Sequence, residues 1–328
     1  MTKSFRVSSP ARIHFGLFAF GEKWERQYGG VGAMVSLPRV QLDVREAVSF
    51  QATGKAADRV MAFATAWGKY YRLPLPPLQI HVEQLPRQHS GLGVGTQLGL
   101  CTAAACQAAT GMKGIAAADW ATSVGRGERS AIGTYGFLQG GLIAERGKTK
   151  EERISPLEVR CNLPESWRFL LIRRRGEGLS GTKERRAFLR LPSVAPQTRH
   201  RLVQLAHEGL IPAAIQADWQ LFSDSLFEFS QLAGSCFAEV QGGDYNGESI
   251  TELVRFLREI GLPGVGQTSW GPTVFALAVS QSHAEEKMME ITDRFEDVEI
   301  IVSAPDNRGV EVIANRLSRS CVPAPTTR

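Results

Sequence analysis

Residues 86–105 read PRQHSGLGVGTQLGLCTAAA, and this stretch decides the fold. Glycine occupies every second position from 91 to 95, so the backbone there can turn sharply and come close to a ligand. From about Thr96 the composition changes to Leu, Ala, Cys and Thr, which predicts a buried helix ending near Gly111. A glycine loop that leads into a helix directs unpaired N–H groups towards one point. The stretch therefore predicts a phosphate-binding site.

The composition is that of a soluble globular protein, with 43% hydrophobic and 22% charged residues in a chain of 328. This length favours two domains. No apolar run reaches the length of a membrane span, and the first residues lack the apolar region of a secretory signal. The five cysteines show no metal-ligand spacing and no disulfide framework, which favours the cytoplasm. A net charge of +5 suits an anionic ligand or a nucleic acid without choosing between them.

Working outward, the pattern predicts an α+β protein in which strands and helices are interspersed. Strands are predicted at 6–20, 28–38, 40–48, 78–83, 167–172, 298–303 and 309–313. Helices are predicted at 56–71, 96–111, 116–124, 249–260 and 284–295, with two more around Pro212 within 199–238. The charged segment 147–156 is the expected domain boundary, which gives domains at 1–155 and 156–317 and a frayed tail at 318–328.

The first predicted strand contains two basic side chains on one face. Strand alternation puts Arg12 and His14 on the same side as Gly16, and Pro10 is expected at an edge or a bulge. The pair fits a solvated face as well as it fits a ligand site.

Two further segments carry candidate functional residues. Residues 173–188 hold six Arg and Lys against two Glu, which indicates either a solvated charge run or a mobile loop that closes over an anionic substrate. Residues 261–277 read GLPGVGQTSWGPTVFAL, a second glycine loop that passes into a strand.

These motifs resemble those of the galactokinase, homoserine kinase, mevalonate kinase and phosphomevalonate kinase (GHMP) superfamily. The phosphate loop of that superfamily usually reads Pro-x-x-x-Gly-Leu-Gly-Ser-Ser-Ala. Here Val94 and Gly95 stand at the serine positions, and the hydroxyl has moved to Thr96. The first motif is matched at fixed positions by Pro10, Arg12, His14 and Gly16, with His14 in place of Asn.

The resemblance also locates a missing group. With Ser130 and the pair Gly140–Gly141 matched to the kinase pattern, the position of the usual catalytic Asp is occupied by Gly133. Glycine cannot accept a proton from a substrate hydroxyl. The chain keeps the phosphate cradle and lacks the kinase base.

In combination the motifs resemble the β-ribofuranosylaminobenzene 5′-phosphate synthases, an offshoot of that superfamily. The similarity runs from about residue 8 to 273 and includes 178–181, Glu184 and Phe188. It implies the two-domain GHMP fold, with a ribosomal-protein-S5-like N-terminal domain and a ferredoxin-like C-terminal domain. It also implies condensation of phosphoribosyl pyrophosphate (PRPP) with 4-aminobenzoate or 4-hydroxybenzoate, releasing CO2 and pyrophosphate, for tetrahydromethanopterin synthesis.

The resemblance implies roles for particular residues. The catalytic candidates are Arg12, His14 and Gln97, where Arg12 and His14 would hold a carboxylate or phosphate, or His14 would donate a proton to the leaving group. Mg²⁺ is the expected cofactor, with Thr96 as its candidate ligand. The phosphate-binding candidates are Gly91, Leu92, Gly93, Val94, Gly95, Thr96, Arg173, Arg175 and Lys183. The candidates for the aromatic pocket are Gly264, Gly266, Gln267, Ser269, Trp270 and Gly271, with core packing as the alternative for Trp270.

Two alternatives stay open at this point. One is a GHMP kinase that uses ATP and whose base lies elsewhere. The other is a non-catalytic binder of phosphorylated metabolites or RNA, although the arginine runs lack the interleaved aromatic residues of stacking platforms, so no nucleic acid is expected. The choice of benzoate and a homodimeric state are likewise open.

Overall fold

The computed structural model describes residues 4–21, 24–174, 191–268 and 271–314. A large mixed sheet has the order β11-β1-β2-β4-β3, and β5 joins it by pairing with β2 and β6. Its strands are β1 (Ser4–Ala19), β2 (Tyr28–Glu46), β3 (Gln51–Gly54), β4 (Leu78–Gln84), β5 (Leu142–Glu145), β6 (Leu157–Cys161) and β11 (Glu311–Ala314). The two segments predicted at 28–38 and 40–48 form the single strand β2.

A second, antiparallel sheet has the order β10-β7-β9-β8. Its strands are β7 (Arg168–Arg174), β8 (Val265–Gln267), β9 (Thr273–Ala278) and β10 (Val298–Ser303). The sheets divide the chain later than the boundary expected at 155/156, because β6 pairs with β5 in the first sheet. The chain crosses between sheets twice, and the side chain of Asn307 fastens the two crossings by bonding N–H and C=O of Leu163, each at 2.9 Å.

Helices cover both sheets. They are α1 (Ala57–Tyr71), α2 (Val94–Thr110), α3 (Ala117–Ser123), α4 (Ile132–Gln139), α5 (Pro196–Gln204), α6 (Ile211–Gln216), α7 (Trp219–Ser235), α8 (Ala238–Gln241), α9 (Glu248–Glu259) and α10 (Gln281–Arg294). None of the helices in the described ranges is long and apolar enough to cross a membrane.

The helix break predicted at Pro212 is wrong. A π-helical turn at Leu205–Leu210 joins α5 to α6 without interruption, and Pro212 lies in the first turn of α6. The break comes at Ala217, which has a φ of 57°, and Asp218 then caps α7 by accepting the N–H of Leu221 at 3.0 Å. Proline has no N–H to continue the hydrogen-bond ladder of a helix, and the irregular π-helical turn directly before Pro212 is where this helix accommodates it.

The core places α2 and α7 on the strands that carry the motifs. Helix α2 is almost wholly buried, and its small residues let it pack closely against its neighbours: a Cβ at Gly99 would lie 3.1 Å from the Phe63 ring. On β1, the rings of Phe15 and Phe18 pack edge to face against Phe222 and Phe229 of α7. The bulge expected at Pro10 is present, between Ser9 and Ala11. Helix α7 belongs to the second half of the chain, so one continuous core fixes both halves around β1.

Candidate active site

The N-terminus of α2 forms a cradle of backbone N–H groups. Gly91 and Gly93 have φ values of 83° and 70°, a conformation that only glycine adopts without strain. No side chain caps the helix and no acidic residue lies in its first turn, so the positive end of its dipole is not neutralised. The N–H of Arg12 donates to the carbonyl of Leu92 at 3.1 Å and ties the loop to β1. The predicted loop-to-helix geometry is therefore present.

Two guanidinium groups flank this helix end. A Cβ placed on Gly95 would lie 2.8 Å from Nη2 of Arg59 and 3.5 Å from Nη2 of Arg126. Both guanidinium carbons lie over the ring of Phe63, at 5.7 and 5.2 Å from its centroid. Burial lowers the pKa of Arg59; burial and then the neighbouring charge of Arg59 lower the pKa of Arg126. Two arginines held together against their mutual repulsion favour an anion between or beside them.

The second glycine loop meets the first. The hydroxyl of Thr268 donates to the carbonyl oxygen of Gly91 at 3.0 Å and accepts the N–H of His14 at 3.1 Å. A Cβ on Gly271 would lie 2.6 Å from the Cα of Gly91, so the loops touch through their backbones. Thr268 therefore joins all three motifs in one place.

A cleft of about 410 Å³ opens beside this junction. The basic residues of its lining are Arg12, Arg126 and Arg129, and the apolar ones include Phe15, Leu17, Ala233 and Phe237. Ser130, Gln241, Asp244 and Gln267 supply neutral and acidic polar groups. A small ligand with an anionic group and an apolar ring suits this distribution.

His14 lies at the wall of the cleft and is only 5% exposed. Burial, and secondly the charge of Arg12, hold the pKa of His14 well below its ordinary value. The imidazole is therefore neutral at neutral pH. The predicted role of proton donor to a leaving group requires the charged ring, so this environment does not support it. Its Nε2 lies 3.2 Å from the hydroxyl of Ser130.

Behind Ser130 lies a fully buried carboxyl group, Glu145, at the end of β5. Its Oε2 accepts the N–H of Ala131 at 2.7 Å. Burial raises the pKa of Glu145 to about 7, against the opposing effects of the Ser130 and Ser155 hydroxyls, the Ala131 N–H and the charge of Arg12. The carboxyl therefore changes charge near neutral pH.

Gln97 does not line the cleft, and the prediction of a catalytic role for it is wrong. It is completely buried; its Oε1 accepts the hydroxyl of Ser9 at 2.7 Å, and its Nε2 donates to the carbonyl of Gly133 at 3.0 Å. The reason is helical geometry, because Gln97 lies inside the first turn of α2 and faces β1 and α4. It holds α2 against both elements.

Gly264 and Gly266 also serve packing rather than the cleft. A Cβ at either position would press against Ser223 or Ser230 of α7, at 3.0 and 2.1 Å. Gln267 does line the cleft, and its Oε1 accepts the N–H of Asn246 at 2.8 Å.

Arg173 pairs with Glu299 on β10 and does not line the cleft, so the described contacts give no support to its predicted phosphate contact. Its guanidinium is already neutralised by a carboxylate within the second sheet. Arg175, Lys183, Ser269 and Trp270 lie outside the described residues.

The residues near the cradle suit Mg²⁺ that arrives with a phosphate-bearing substrate. The described ranges hold no cluster of three or more His, Cys, Asp or Glu side chains that could form a metal site. Magnesium is commonly held by one or two protein oxygens together with substrate phosphates. Thr96 and the exposed Glu128 both line the cleft and are oxygen donors of that kind.

Gly133 faces the cradle. A Cβ built on it would lie 3.3 Å from Cγ2 of Thr96 and 3.5 Å from Nε2 of Gln97. The position of the missing kinase carboxylate therefore adjoins the start of α2, as the motif alignment requires.

Comparison with known proteins first shows the class of protein to which the fold corresponds. Residues 210–297 match the family described as GHMP kinases C terminal. The homoserine kinase from Cytophaga hutchinsonii superposes with a TM-score of 0.66 at 17% identity, over 94% of this chain and 97% of that one. The chain has the α+β fold of the GHMP kinases.

The particular resemblance is to synthases. The chain is 27% identical over 321 residues to the β-ribofuranosylphenol 5′-phosphate synthase of Archaeoglobus fulgidus, covering 94% of this chain and 99% of that protein. It is 25% identical over 334 residues to the protein of the same name from Methanothermobacter thermautotrophicus, covering 94% and 98%. The resemblance drawn from the motifs is confirmed over nearly the whole chain.

Sequence reasoning missed four residues that shape this site, namely Arg59, Arg126, Glu145 and Thr268. Arg126 stands between two glycines directly after α3, which was an available signal. Glu145 ends a short apolar strand, which marks it as a candidate buried acid. Arg59 and Thr268 carry no local signal, because their importance depends on contacts with distant segments.

Proposed function

We propose that this protein is a glycosyltransferase of the β-ribofuranosylphenol 5′-phosphate synthase type. It condenses PRPP with 4-hydroxybenzoate or 4-aminobenzoate, releases CO2 and pyrophosphate, and forms a C-riboside for tetrahydromethanopterin synthesis. The observation that carries the proposal is the phosphate cradle with its two arginines, next to a glycine at the position of the kinase base. Phosphate binding is kept there without the group that phosphoryl transfer to an alcohol would use.

The cradle supports departure of pyrophosphate. As the bond from the ribose C1 to pyrophosphate breaks, negative charge grows on the leaving oxygens. Thr96 in the first turn of α2 and Arg126 both line the cleft, and no side chain caps the N–H groups at that helix end. Preorganised donors of this kind stabilise developing charge most effectively in a site that excludes water. Mg²⁺ held by the pyrophosphate, Thr96 and Glu128 would supply further charge neutralisation.

The apolar part of the cleft lining suits the aromatic acceptor. Phe15, Leu17 and Phe237 give it an apolar surface, and Arg12 provides a positive charge for the acceptor carboxylate. The attacking atom is the ring carbon that bears this carboxylate, because a para hydroxyl or amino group makes it electron-rich. Loss of CO2 from the same carbon then restores the aromatic ring.

The test is to supply purified protein with PRPP, Mg²⁺ and each carboxyl-labelled benzoate. We expect labelled CO2 and pyrophosphate to be released in equal amounts. Arg126→Gln should lower kcat/KM for PRPP at least tenfold, since a charged hydrogen bond to an anion contributes about 1.5–3 kcal/mol. Arg201→Gln is the matched control, because Arg201 pairs with Glu228 on an exposed surface away from the cleft.

Absence of CO2 release from both benzoates, with protein that is folded by thermal melting, would overturn the proposal. ATP consumption in the presence of an alcohol acceptor would instead identify a kinase.

A further inference from the structure

The fold does not require an ionisable side chain at the buried position of Glu145. Its Oε2 caps the N-terminus of α4 through the Ala131 N–H. A neutral amide or hydroxyl could accept that hydrogen bond without the cost of burying an ionisable group. Its other oxygen, Oε1, is buried with no hydrogen-bond partner within geometric limits in the described ranges. The contact with Ala131 therefore explains why an oxygen acceptor is present, but it does not explain why the side chain is an acid.

Ser130 connects this carboxyl to the cleft. The Ser130 hydroxyl lies beside Glu145, where it favours the charged carboxylate, and its Oγ also lies 3.2 Å from Nε2 of His14. Ser130 and His14 both line the cleft. A single hydroxyl thus separates a ligand in the cleft from a carboxyl that water does not reach.

The groups around Glu145 allow both of its protonation states near neutral pH. Arg12 on β1 supplies the nearby positive charge, and the hydroxyls of Ser130 and Ser155 stabilise the anion. Tyr135 of α4 is the neighbouring phenol, and burial, with the Glu145 charge contributing, raises its pKa, so it stays neutral. His14 is neutral as well. Among these groups, Glu145 alone has a pKa near 7.

We infer that Ser130 and Glu145 form a proton relay that accepts the hydroxyl proton of a phenolic acceptor bound in the cleft and later returns it. The inference rests on the proposed function and deepens it. The name of the two relatives, β-ribofuranosylphenol 5′-phosphate synthase, points to the same phenolic kind of acceptor. The neutral imidazole of His14 positions the Ser130 hydroxyl between the ligand and the carboxylate.

The steps balance in atoms and electrons. Ser130 passes its proton to the Glu145 carboxylate and takes the proton of the phenol. The electron pair released on the phenol oxygen moves through the ring, so that the carbon bearing the carboxylate bonds to the ribose C1 as pyrophosphate leaves. The product of this step is a neutral dienone that still carries its carboxylate.

Decarboxylation then reverses the proton movement. The bond between the ring and the carboxylate breaks, its electron pair restores the aromatic ring, and the oxygen becomes a phenolate. Glu145 returns its proton through Ser130 to that oxygen. No proton is gained or lost over the cycle, and no additional reactant is required.

An amino group has less need of this relay. The nitrogen of 4-aminobenzoate donates its lone pair while keeping both protons, and the positive charge persists only until CO2 leaves. The two acceptors therefore distinguish a proton relay from a structural cap.

The experiment compares Glu145→Gln with the wild-type protein on both acceptors from pH 5 to 9. Glutamine keeps an oxygen for the Ala131 N–H and cannot titrate. We expect kcat with 4-hydroxybenzoate to fall at least a hundredfold, the usual range for removal of a general base, and its acidic limb near pH 7 to disappear. With 4-aminobenzoate the fall should be less than tenfold. Glu152→Gln, which changes a half-buried carboxylate paired with Arg26 and absent from the cleft lining, is the control.

Ser130 gives an independent readout. Ser130→Ala should reproduce the loss with 4-hydroxybenzoate, and Ser130→Thr, which keeps a hydroxyl, should restore at least a tenth of the activity. If Glu145→Gln does not fold, the Ser130 pair decides, together with infrared detection of a protonated carboxyl when 4-hydroxybenzoate binds the wild-type protein above pH 7.

The relay is overturned if Glu145→Gln or Ser130→Ala retains wild-type kcat and the acidic limb, or if both acceptors lose activity equally. These results differ from failure of the proposed function, in which the wild-type protein releases no CO2 from either benzoate.

Discussion

Thr268 donates its hydroxyl to the carbonyl oxygen of Gly91 at 3.0 Å, across a separation of 177 positions in the chain. The hydroxyl oxygen of Thr268 in turn accepts the N–H of His14 at 3.1 Å. The phosphate cradle, the first strand and the third motif are thus held at fixed distances by one hydroxyl group. The geometry of the cleft depends on this contact between the two halves of the chain.

Thr268→Val keeps the size of the side chain and removes the hydroxyl. Thr268 is fully buried, so the carbonyl of Gly91 and the N–H of His14 both lose a partner. We expect the free energy of unfolding to fall by about 1–3 kcal/mol and KM for PRPP to rise. Thr268→Ser keeps the hydroxyl, so its free energy of unfolding and its KM for PRPP should lie close to the wild-type values. Equal KM values for the three proteins would show that the contact does not shape the cradle.

Thr96→Ala should affect Mg²⁺ and pyrophosphate handling more than folding. Thr96 lies on the cleft at the start of α2 and makes no cap hydrogen bond for that helix. We expect stability to change by less than about 1 kcal/mol, and the Mg²⁺ concentration for half-maximal rate to increase. Titration of activity with Mg²⁺ at fixed PRPP measures the effect. An unaltered Mg²⁺ dependence would remove Thr96 from the metal site.

Gly133→Asp should damage the proposed reaction rather than restore a kinase. The new side chain would begin 3.3 Å from Thr96 Cγ2 and place a negative charge near the start of α2. On the proposed function two anionic substrates bind near this position, so repulsion should lower the rate on the order of a hundredfold. Gly133→Asn has nearly the same size without the charge and separates repulsion from the crowding that costs about 1–3 kcal/mol.

Rates of CO2 release for the Asp and Asn variants, with thermal melts, give the answer. If the two variants have the same rate, the charge is irrelevant and position 133 lies away from the reaction.

The stability of Glu145→Gln relative to the wild-type protein should depend on pH. Burial raises the pKa of Glu145 from 4.5 to about 7 in the folded protein. Between these values the folded state holds a proton that the unfolded state has lost, so wild-type stability falls as pH rises and levels off above about pH 7. The Gln variant does not lose stability in this way. Its free energy of unfolding relative to the wild-type protein should therefore rise by ~3 kcal/mol between about pH 4.5 and 7.5.

Denaturant unfolding at several pH values measures this difference. The buried His14 is present in both proteins, so its own titration cancels in the comparison. A constant difference would mean that Glu145 has an ordinary pKa.

The sequence predicted most of the elements, because their signals are local. The run after Thr96 forms helix α2 as expected, and the strand predicted at 298–303 has those bounds in the structure. The prediction at Pro212 was wrong because proline usually ends a helix, and nothing in the sequence indicated the π-helical turn that lets this helix continue past it.

The candidate site was predicted less completely, because it depends on which segments meet. Motif spacing brought Arg12, His14 and the cradle together correctly. It could not show that Gln97 faces inward from α2, or that Arg173 already has a carboxylate partner. Glu145 and Thr268 gain their positions from pairing between strands and from contact between loops far apart in the chain. Neither kind of contact produces a periodic pattern in the sequence.

The bonds between Asn307 and Leu163 have a consequence for how such proteins can diversify. The chain leaves the first sheet and returns to it at one point, so residues 164–306 form a cassette with adjoining ends. An exchange of that cassette between relatives would have to keep its contacts with β2, where the N–H of Ser36 donates to Ala304 and the N–H of Asp306 donates to Met34, each at 2.9 Å. The incoming cassette must still bring aromatic residues to cover Phe15 and Phe18 and a hydroxyl at position 268. A change in the second half of the chain can therefore alter its share of the cleft lining only while these contacts with the first half are kept.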